Sequence, residues 1–483
     1  MSLSLCICRS CRIQRVGDCR PLLFYTGLSM SYQAAIEQLS AMAPELFTKP
    51  GQARRKFSLH EIGILLSALG DPQHRFGSLL IAGTNGKGST AATLASILMA
   101  SGVRTGLYTS PHLARPNERI QVNHAEINDD AFGALYFRTH DAAQQLVNEA
   151  KLEQMPSFFE TLTAMAFLYF ADAEVQIAVL EVGMGGRLDA TNIVDPLLSV
   201  VTDISLDHTE WLGSTIADIT REKAGILRRT GTLITLPQHP DANRVLGEVA
   251  ADLEVRGVSA APYMPSMSAG SDAHYSVEVF DRAVTVASPL RGAHQRRNVA
   301  LAIATAVELK ENYDLPITAA SIAEGIRNTR WPARLERLSS GGAEWILDVA
   351  HNPAGAWALR AGLRDTFGDA PMTTLVFSCL RDKPLAEMAQ ILFPLFRNVI
   401  FAPIHSARAA AMGDLLAAAA SLDVSATAAD SVIRALGLAR MQNAGGVVVV
   451  SGSVYLVGEA RTLLLAEGDL ASSDVSQQRD EVP

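Results

Sequence analysis

Along most of the chain, short apolar runs alternate with longer amphipathic stretches. Leu79–Ala82, Val175–Val182, Leu197–Ile204 and Gly231–Leu236 have the length and continuity of buried strands, and Val103–Thr109 predicts one more. Between them, Ser89–Ala100 spaces Ala92, Leu94, Ala95 and Leu98 as a helix does, with Gly102 placed to end it. Phe158–Ala171 is apolar nearly all round, which predicts a deeply packed helix, and Ile216–Arg229 predicts another. Upstream, Tyr32–Gly70 predicts two helices joined by the loop Thr48–Lys56, the first opening at Met30 with Tyr32, Ile36 and Leu39 on one face. After Ser266 the texture changes to a short β excursion, Met267–Pro289, followed by an alanine-rich helix, Asn298–Leu309. A second alternation then begins: strand Glu344–Val349, helix Gly355–Thr366, strand Thr373–Ser378, and a further helix and strand to Ala402. It closes with strand Gly446–Ser451 and helix Val454–Leu465. Two such alternations predict the α/β class, with mainly parallel sheets covered by helices on both faces. The expected units are 30–328 and 341–468, joined by a linker at 329–340.

Composition narrows the class. With 483 residues, 48 % hydrophobic and 19 % charged, the chain is long enough for two or three globular units. No apolar run approaches the roughly 18 residues of a membrane span, so no membrane partner is expected. The net charge of −9 argues against a nucleic-acid partner, although anionic small molecules remain open to local cationic pockets. Four of the five cysteines (Cys6, Cys8, Cys11, Cys19) crowd the head, leaving Cys379 alone in the body. The body therefore reads as reduced and cytoplasmic. The head is rich in arginine; as a zinc knot its cysteine spacing is poor, and as a targeting peptide it lacks an apolar region. Residues 1–29 are expected to be a disordered or non-native extension, and 469–483 a disordered tail.

The chemistry gathers after the strands. Leu79 to Thr90 reads Leu-Leu-Ile-Ala-Gly-Thr-Asn-Gly-Lys-Gly-Ser-Thr. Strand, glycine turn and helix together aim backbone N–H groups and a helix N-terminus at a phosphate, and Lys87 adds a charge. Two positions depart from the common phosphate-loop pattern: Ile81 stands where a glycine is usual, and Gly88 where a hydroxyl is usual. The plainer alternative is a tight turn with a solvated lysine. Glu181 ends an apolar strand and leads into Val-Gly-Met-Gly-Gly-Arg-Leu-Asp-Ala-Thr-Asn. A carboxylate there suits Mg²⁺ beside a closely approaching phosphate; capping a glycine loop is the alternative. Taken singly, His208 reads as a satisfied polar residue or a metal ligand, and Lys223 as a solvated helical lysine.

The order of these motifs adds more. Gly83-Thr-Asn-Gly-Lys-Gly-Ser, Ser110-Pro-His-Leu, the Glu181 stretch, Leu206-Asp-His-Thr-Glu-Trp-Leu-Gly and Arg221-Glu-Lys-Ala-Gly-Ile follow in sequence. Asn298, Arg334 in Trp-Pro-Ala-Arg, Asp348-Val-Ala-His-Asn-Pro, Arg381-Asp-Lys, Arg408-Ala and Gly452-Ser453 come after them. This set resembles the bacterial dihydrofolate synthase/folylpolyglutamate synthase family of the Mur ligase superfamily, over about Met30 to Leu465. The resemblance implies a larger P-loop-type, mainly parallel ATPase domain followed by a smaller Rossmann-like α/β domain. It implies that Thr84, Asn85, Gly86, Lys87, Gly88 and Ser89 wrap the phosphates of ATP, with Asn298, Arg334 and Asp348 completing the nucleotide site. It makes Ser110, Glu181 and His208 ligands of Mg²⁺, with two ions expected, and Lys223 a carbamylated lysine. Lys87, Lys223 and His208 become the catalytic set. Ser157, Leu188, Asp189 and Ala190 match positions lining the pterin site, and His351, Arg408 and Ser453 the glutamate entrance. Pro384 and Ala407 depart from the family pattern and touch only that entrance.

The implied activity joins L-glutamate to 7,8-dihydropteroate and to reduced folates through an acyl phosphate, by a monomer in the cytoplasm. Such chemistry asks for positioned cations around the transferring phosphoryl group and a closing second domain that keeps water out. The alternatives are folylpolyglutamate synthase activity alone, a cell-wall peptide ligase of the same superfamily, and an ATP-driven switch that needs no amino acid.

Overall fold

The computed structural model describes residues 31–42, 58–265, 274–368, 372–443 and 446–479. The head at 1–29, the loop Thr48–Lys56 and residues 266–273 fall outside these, so the expectations placed on them are not addressed by it. The larger unit opens with α1 (Tyr32–Ala41), α2 (Leu59–Ala68), β1 (Gly77–Ala82), α3 (Lys87–Ala100) and β2 (Thr105–Tyr108). It continues with β3 (Ile120–Val122), β4 (Ala125–Glu126), α4 (Asp129–Asn148), α5 (Phe158–Asp172), β5 (Ile177–Glu181) and β6 (Leu198–Val201). Then come α6 (Thr209–Leu212), α7 (Ile216–Ala224), β7 (Thr232–Thr235), α8 (Pro240–Asp252), β8 (Arg256–Ser259), the hairpin β9 (His274–Val279) and β10 (Arg282–Ala287), α9 (Ala293–Tyr313) and α10 (Ala319–Arg327).

The apolar runs form the middle of an eight-stranded sheet in the order β4-β3-β2-β5-β1-β6-β7-β8. The strands from β2 to β8 in that order are parallel, and only β3 and β4 at one edge run against their neighbours. Register brings Ile81 opposite Glu181 and Ala82 opposite Val201. The loops after β1, β5 and β6 therefore leave the sheet side by side, which is where parallel sheets place ligands.

Helix α3 has no polar face to give to solvent: Gly88 through Leu98 are all buried. It lies against the sheet on one side and α9 and α10 on the other, within one apolar cluster. Ser96 Oγ donates to the Gly325 carbonyl of α10 at 2.7 Å, an approach that leaves no room for a side chain at Gly325.

The smaller unit holds β11 (Glu336–Ser340), β12 (Ala343–Leu347), α11 (Pro353–Phe367), β13 (Met372–Phe377), α12 (Leu385–Leu392), β14 (Phe396–Phe401) and α13 (Met412–Ala420). It ends with β15 (Ala426–Ala428), α14 (Val432–Gln442), β16 (Val447–Ser451) and α15 (Val454–Arg479), which runs into the polar segment from Leu470. Its six-stranded sheet has the order β11-β12-β16-β13-β14-β15, and β11, within the stretch expected as linker, is antiparallel to β12. Separate apolar clusters cover its two faces.

Several elements differ from their sequence reading. Helix α7 stops at Ala224 rather than Arg229, because the chain turns at Gly225 to pass the Arg187 backbone. Helix α9 spans Ala293–Tyr313, longer at both ends than the alanine-rich stretch. Helices α4, α8 and α10 were not anticipated; α8 buries only Ala242, Val245 and Leu246, whereas α4 buries eight of its twenty residues, among them Phe132, Leu135, Tyr136 and Phe137. In α4 the signal was present at its start: Asn128 caps the helix and Asp129 and Asp130 follow.

A Cβ added at Gly325 would lie 2.3 Å from the Ile97 Cα. Because backbone, not a flexible side chain, is in the way, Gly325→Ala should destabilise the larger unit by about 1–3 kcal/mol, read by denaturant unfolding, with m unchanged.

Candidate active site

The turn after β1 is shaped by the strand beside it. The Thr84 and Asn85 N–H groups both donate to the Asp203 carbonyl, at 2.9 and 3.2 Å, and Thr202 Oγ1 donates to the Asn85 carbonyl at 2.8 Å. Those two N–H groups are thus engaged within the protein, and the part of the turn free to meet an anion is Gly86 to Ser89, at the first turn of α3. Gly86 has φ +89°, and a Cβ there would fall 2.2 Å from Asn298 Oδ1. Lys87 Nζ rests on the Thr84 carbonyl at 3.1 Å. Beyond it, Gly88 lies against the Trp331 indole, where a Cβ would sit 2.5 Å from the ring. The glycine where a hydroxyl is usual has a steric reason.

Glu181, at the end of β5, is buried, and among the described residues its hydrogen-bond donor is the Ser110 N–H at 3.1 Å. Burial pushes its carboxyl above the usual range, against the nearby charges of Lys87, Arg334 and Arg119. His208 has φ +50° as it leads into α6, and its N–H donates to Asp207 Oδ1 at 2.9 Å. Burial lowers its imidazole to about 4 despite the Asp207 charge, so the ring is neutral at pH 7 and keeps a lone pair. Lys223 is buried on α7 and donates to the Gly83 carbonyl at 2.7 Å. Burial and the neighbouring Lys87 lower its amine to about 7, which contradicts any reading of it as a solvated lysine.

On the other side, Arg334 is half-buried beside Asp348, with its guanidinium 5.7 Å from the Trp331 ring centre. Asp348 accepts from the Leu335 and Ala350 N–H groups, both at 2.9 Å, and burial pushes its carboxyl up against the opposing Arg334 charge. Asn298 donates to Gln295 Oε1 at 2.8 Å. Ser157 caps α5 in a reciprocal box with Glu160. Asp189 accepts from the Met184 and Thr191 N–H groups and from the Thr191 hydroxyl at 2.6 Å, so its carboxylate shapes the glycine loop that carries Leu188 and Ala190. Arg408 pairs with Asp382 at 2.5 Å, His351 Nδ1 meets the Val349 carbonyl at 2.9 Å, and Ser453 is buried.

All these residues line one cavity of about 1120 Å³ at the carboxyl ends of both sheets: the turn, the Ser110/Glu181/His208 group, Lys223, the Asn298/Arg334/Asp348 group, the Ser157 and Leu188–Ala190 group, and His351, Arg408 and Ser453. Among the described residues no three or more His, Cys, Asp or Glu side chains form a metal-holding group. The donors on offer are a carboxylate, a hydroxyl and an imidazole. The oxygens suit a hard cation that keeps water ligands, and the sparsely hydrogen-bonded buried carboxylate of Glu181 is a further point of fit.

Sequence reasoning missed Asp207, Asn352, Lys383, Arg119 and Trp331 as participants. Asp207, Asn352 and Lys383 stand inside quoted motifs, but nothing in one chain's order shows that they meet. Arg119, stacked 5.2 Å from the Phe158 ring centre, carried no signal at all.

Comparison with known proteins agrees with this architecture. Residues 81–306 match the Mur ligase middle domain, and residues 333–454 match the Mur ligase glutamate ligase domain. The chain is 34 % identical to the folylpolyglutamate synthase of Lacticaseibacillus casei over 90 % of this chain and 99 % of that one. It is 33 % identical to the dihydrofolate synthase/folylpolyglutamate synthase of Bacillus subtilis, over 86 % of this chain and 95 % of that one. Its fold superposes with a TM-score of 0.80 on the Mycobacterium tuberculosis folylpolyglutamate synthase complexed with ADP, at 31 % identity, covering 90 % of this chain and 98 % of that one.

Gly88→Ala should push Trp331 off the turn. The expected results are an overpacking cost of about 1–3 kcal/mol in thermal unfolding and a shift in tryptophan emission. An unchanged emission spectrum would show that the indole does not depend on this glycine.

Proposed function

The chain belongs to the Mur ligase family, among its dihydrofolate and folylpolyglutamate synthases, and from that premise we propose what each wall of its cavity does. The protein is an ATP-dependent ligase that joins L-glutamate to 7,8-dihydropteroate and extends reduced folates with further glutamates. The observation that carries the assignment is the single cavity into which the phosphate-type turn, the pterin-matching loop and the smaller unit's loops all open. We further propose that it works as a monomer in the cytoplasm. In support, one chain supplies both sides of the cavity, the body carries one free buried cysteine, and no described helix is long and apolar enough to cross a membrane.

A carboxylate does not react with an amine until its oxygen has become a leaving group. The γ-phosphoryl group is therefore passed to the acid, and glutamate's amino nitrogen then attacks the acyl carbon and releases phosphate. Gly86 to Ser89 receive the phosphates with backbone N–H groups and the α3 N-terminus, and Lys87 counters their charge. Asn298, Arg334 and Asp348 hold the rest of the nucleotide. Ser157 and Leu188–Ala190 border the pterin, while His351, Arg408 and Ser453 border the incoming amino acid. Ser110, Glu181 and His208 would hold Mg²⁺, which supplies countercharge to the transferring group when bound. Lys223 has the chemistry for carbamylation, since an amine lowered to about 7 is half neutral at neutral pH and only the neutral amine adds to CO₂. The product is an anion where a cation would otherwise sit near Lys87.

The bifunctional reading is tested by supplying dihydropteroate and tetrahydrofolate separately. Phosphate release should require ATP, glutamate and one of the two pterins, and turnover without glutamate would defeat the assignment. Lys223→Ala should lower kcat by about 10²-fold or more, with partial recovery in millimolar short-chain carboxylic acids. Because the folded-state amine is depressed, its neutral form is gained as pH rises through about 7. Activity should climb across that window and fall when CO₂ is stripped; indifference to CO₂ would remove the carbamate.

A further inference from the structure

Among the described residues, Lys383 and His351 of the smaller unit both reach Asp207 of the larger one at the cavity. Lys383 Nζ lies 2.6 Å from Asp207 Oδ1, with the two side chains only 5 % and 9 % exposed. His351 Nε2 lies 3.6 Å from Asp207 Oδ2. Asn352 Nδ2 donates to the same Oδ2 at 3.0 Å and to Asn85 Oδ1 at 3.1 Å, while Asn352 Oδ1 accepts from the Gly355 N–H at the start of α11. Asn85 in turn donates to Ser205 Oγ at 3.1 Å. Two separate loops of the smaller unit, after β12 and after β13, are thus fastened to the loop after β6 and, through Asn85, to the turn after β1.

An exposed pair would do little here, since solvent screens it and its side chains must be held still. A pair desolvated at the junction of two units is different. Parting the units leaves each charge without its partner, so the contact favours one relative placement over others. None of the roles assigned above uses Asp207 or Lys383.

We propose that Asp207 is a positioning residue for amide formation: paired with Lys383 and bonded to Asn352, it clasps the smaller unit onto the phosphate turn so that glutamate meets the activated acid before water does. The inference rests on the ligase reading. The acyl phosphate has two fates, and both break the same bond between acyl carbon and bridging oxygen. Attack by the glutamate nitrogen gives amide, phosphate and a proton. Attack by water returns the acid with phosphate and a proton. Each consumes one ATP, so only the ratio of phosphate released to amide formed separates them.

The test uses the full chain with MgATP, dihydropteroate and glutamate, measuring both products for the wild type, Asp207→Asn, Lys383→Met and Lys383→Arg. Wild type is expected near one phosphate per amide. Asp207→Asn and Lys383→Met should raise that ratio by about three-fold or more and the KM for glutamate by roughly ten-fold, with the KM for ATP within about two-fold. Lys383→Arg, which keeps the cation, should restore most of the coupling. Variants that slow both products together at an unchanged ratio would overturn the clasp and make the pair merely structural. If Asp207→Asn does not fold, the Lys383→Met and Lys383→Arg comparison decides by the same ratio. Wild-type phosphate release without glutamate would instead strike the ligase reading itself, so the two failures are distinguishable.

Discussion

The removal of opposite charges from water into one shared cavity is the constraint to which the other features of the site answer. An isolated buried charge is expensive, and proteins hold one only where a partner or a function compensates. Here Glu181, Asp189, Asp207 and Asp348 share a cavity with Lys87, Lys223, Arg119, Arg334 and Lys383. Burial pushes Glu181, Asp189, Asp348, Lys223 and Arg334 toward their neutral forms, and particular neighbours oppose it. The outcome is graded: His208 is neutral, Lys223 sits near the midpoint at pH 7, and the hydrogen bonds around Asp207 together with the Lys383 charge keep it ionised against burial. One environment thus supplies a lone pair, a reactive amine and a fixed anion.

Strand direction explains why these groups can meet. In the larger sheet the parallel strands β1, β5 and β6 end on one side, which sets the phosphate turn, Glu181 and the Asp207–His208 pair next to each other. In the smaller sheet β12, β13 and β16 are likewise parallel neighbours, and the loops that follow them bring Asp348, His351, Asn352, Lys383 and Ser453 to the same cavity. Two sheets facing each other by their carboxyl ends make a space that neither could enclose alone. Trp331 and Arg334 come from the segment crossing between them and reach back to the turn and to Asp348.

That enclosure suits the chemistry. An acyl phosphate is useful only while water is kept from it, and a cavity completed by a second unit excludes solvent when the units are together. Both ligations join the same amine to a carboxylate, so one nucleotide site and one amine entrance serve them. In the proposed assignment, the acid is received against the wall of the cavity formed by Ser157 and Leu188–Ala190.

How much of this was legible in the chain follows from the range of each signal. Buried strands and the α3 turn announce themselves locally, because hydrophobic runs and glycine spacing are properties of neighbours in sequence. The motifs around Thr84–Ser89, Glu181, His208 and Asp348 were legible for the same reason, and their order identified the family. Helices α8 and α10 were missed because their apolar positions are interleaved with polar ones and form no continuous run, whereas α4 was missed although it buries Phe132, Leu135, Tyr136 and Phe137. The need for Gly88 became visible only with Trp331 packed on it, some 240 residues away in the chain. Lys223 taken singly reads as a solvated lysine and only the motif order gave it a chemical role, while its burial beside Gly83 came from tertiary packing; Asp207 gained Lys383 and Asn352 only when the two sheets faced each other. Sequence alone determined which residue types stand at the strand ends. Burial and cross-unit pairing, which set their charge, were decided by the fold, because desolvation and Coulomb energy depend on distance in space and not along the chain.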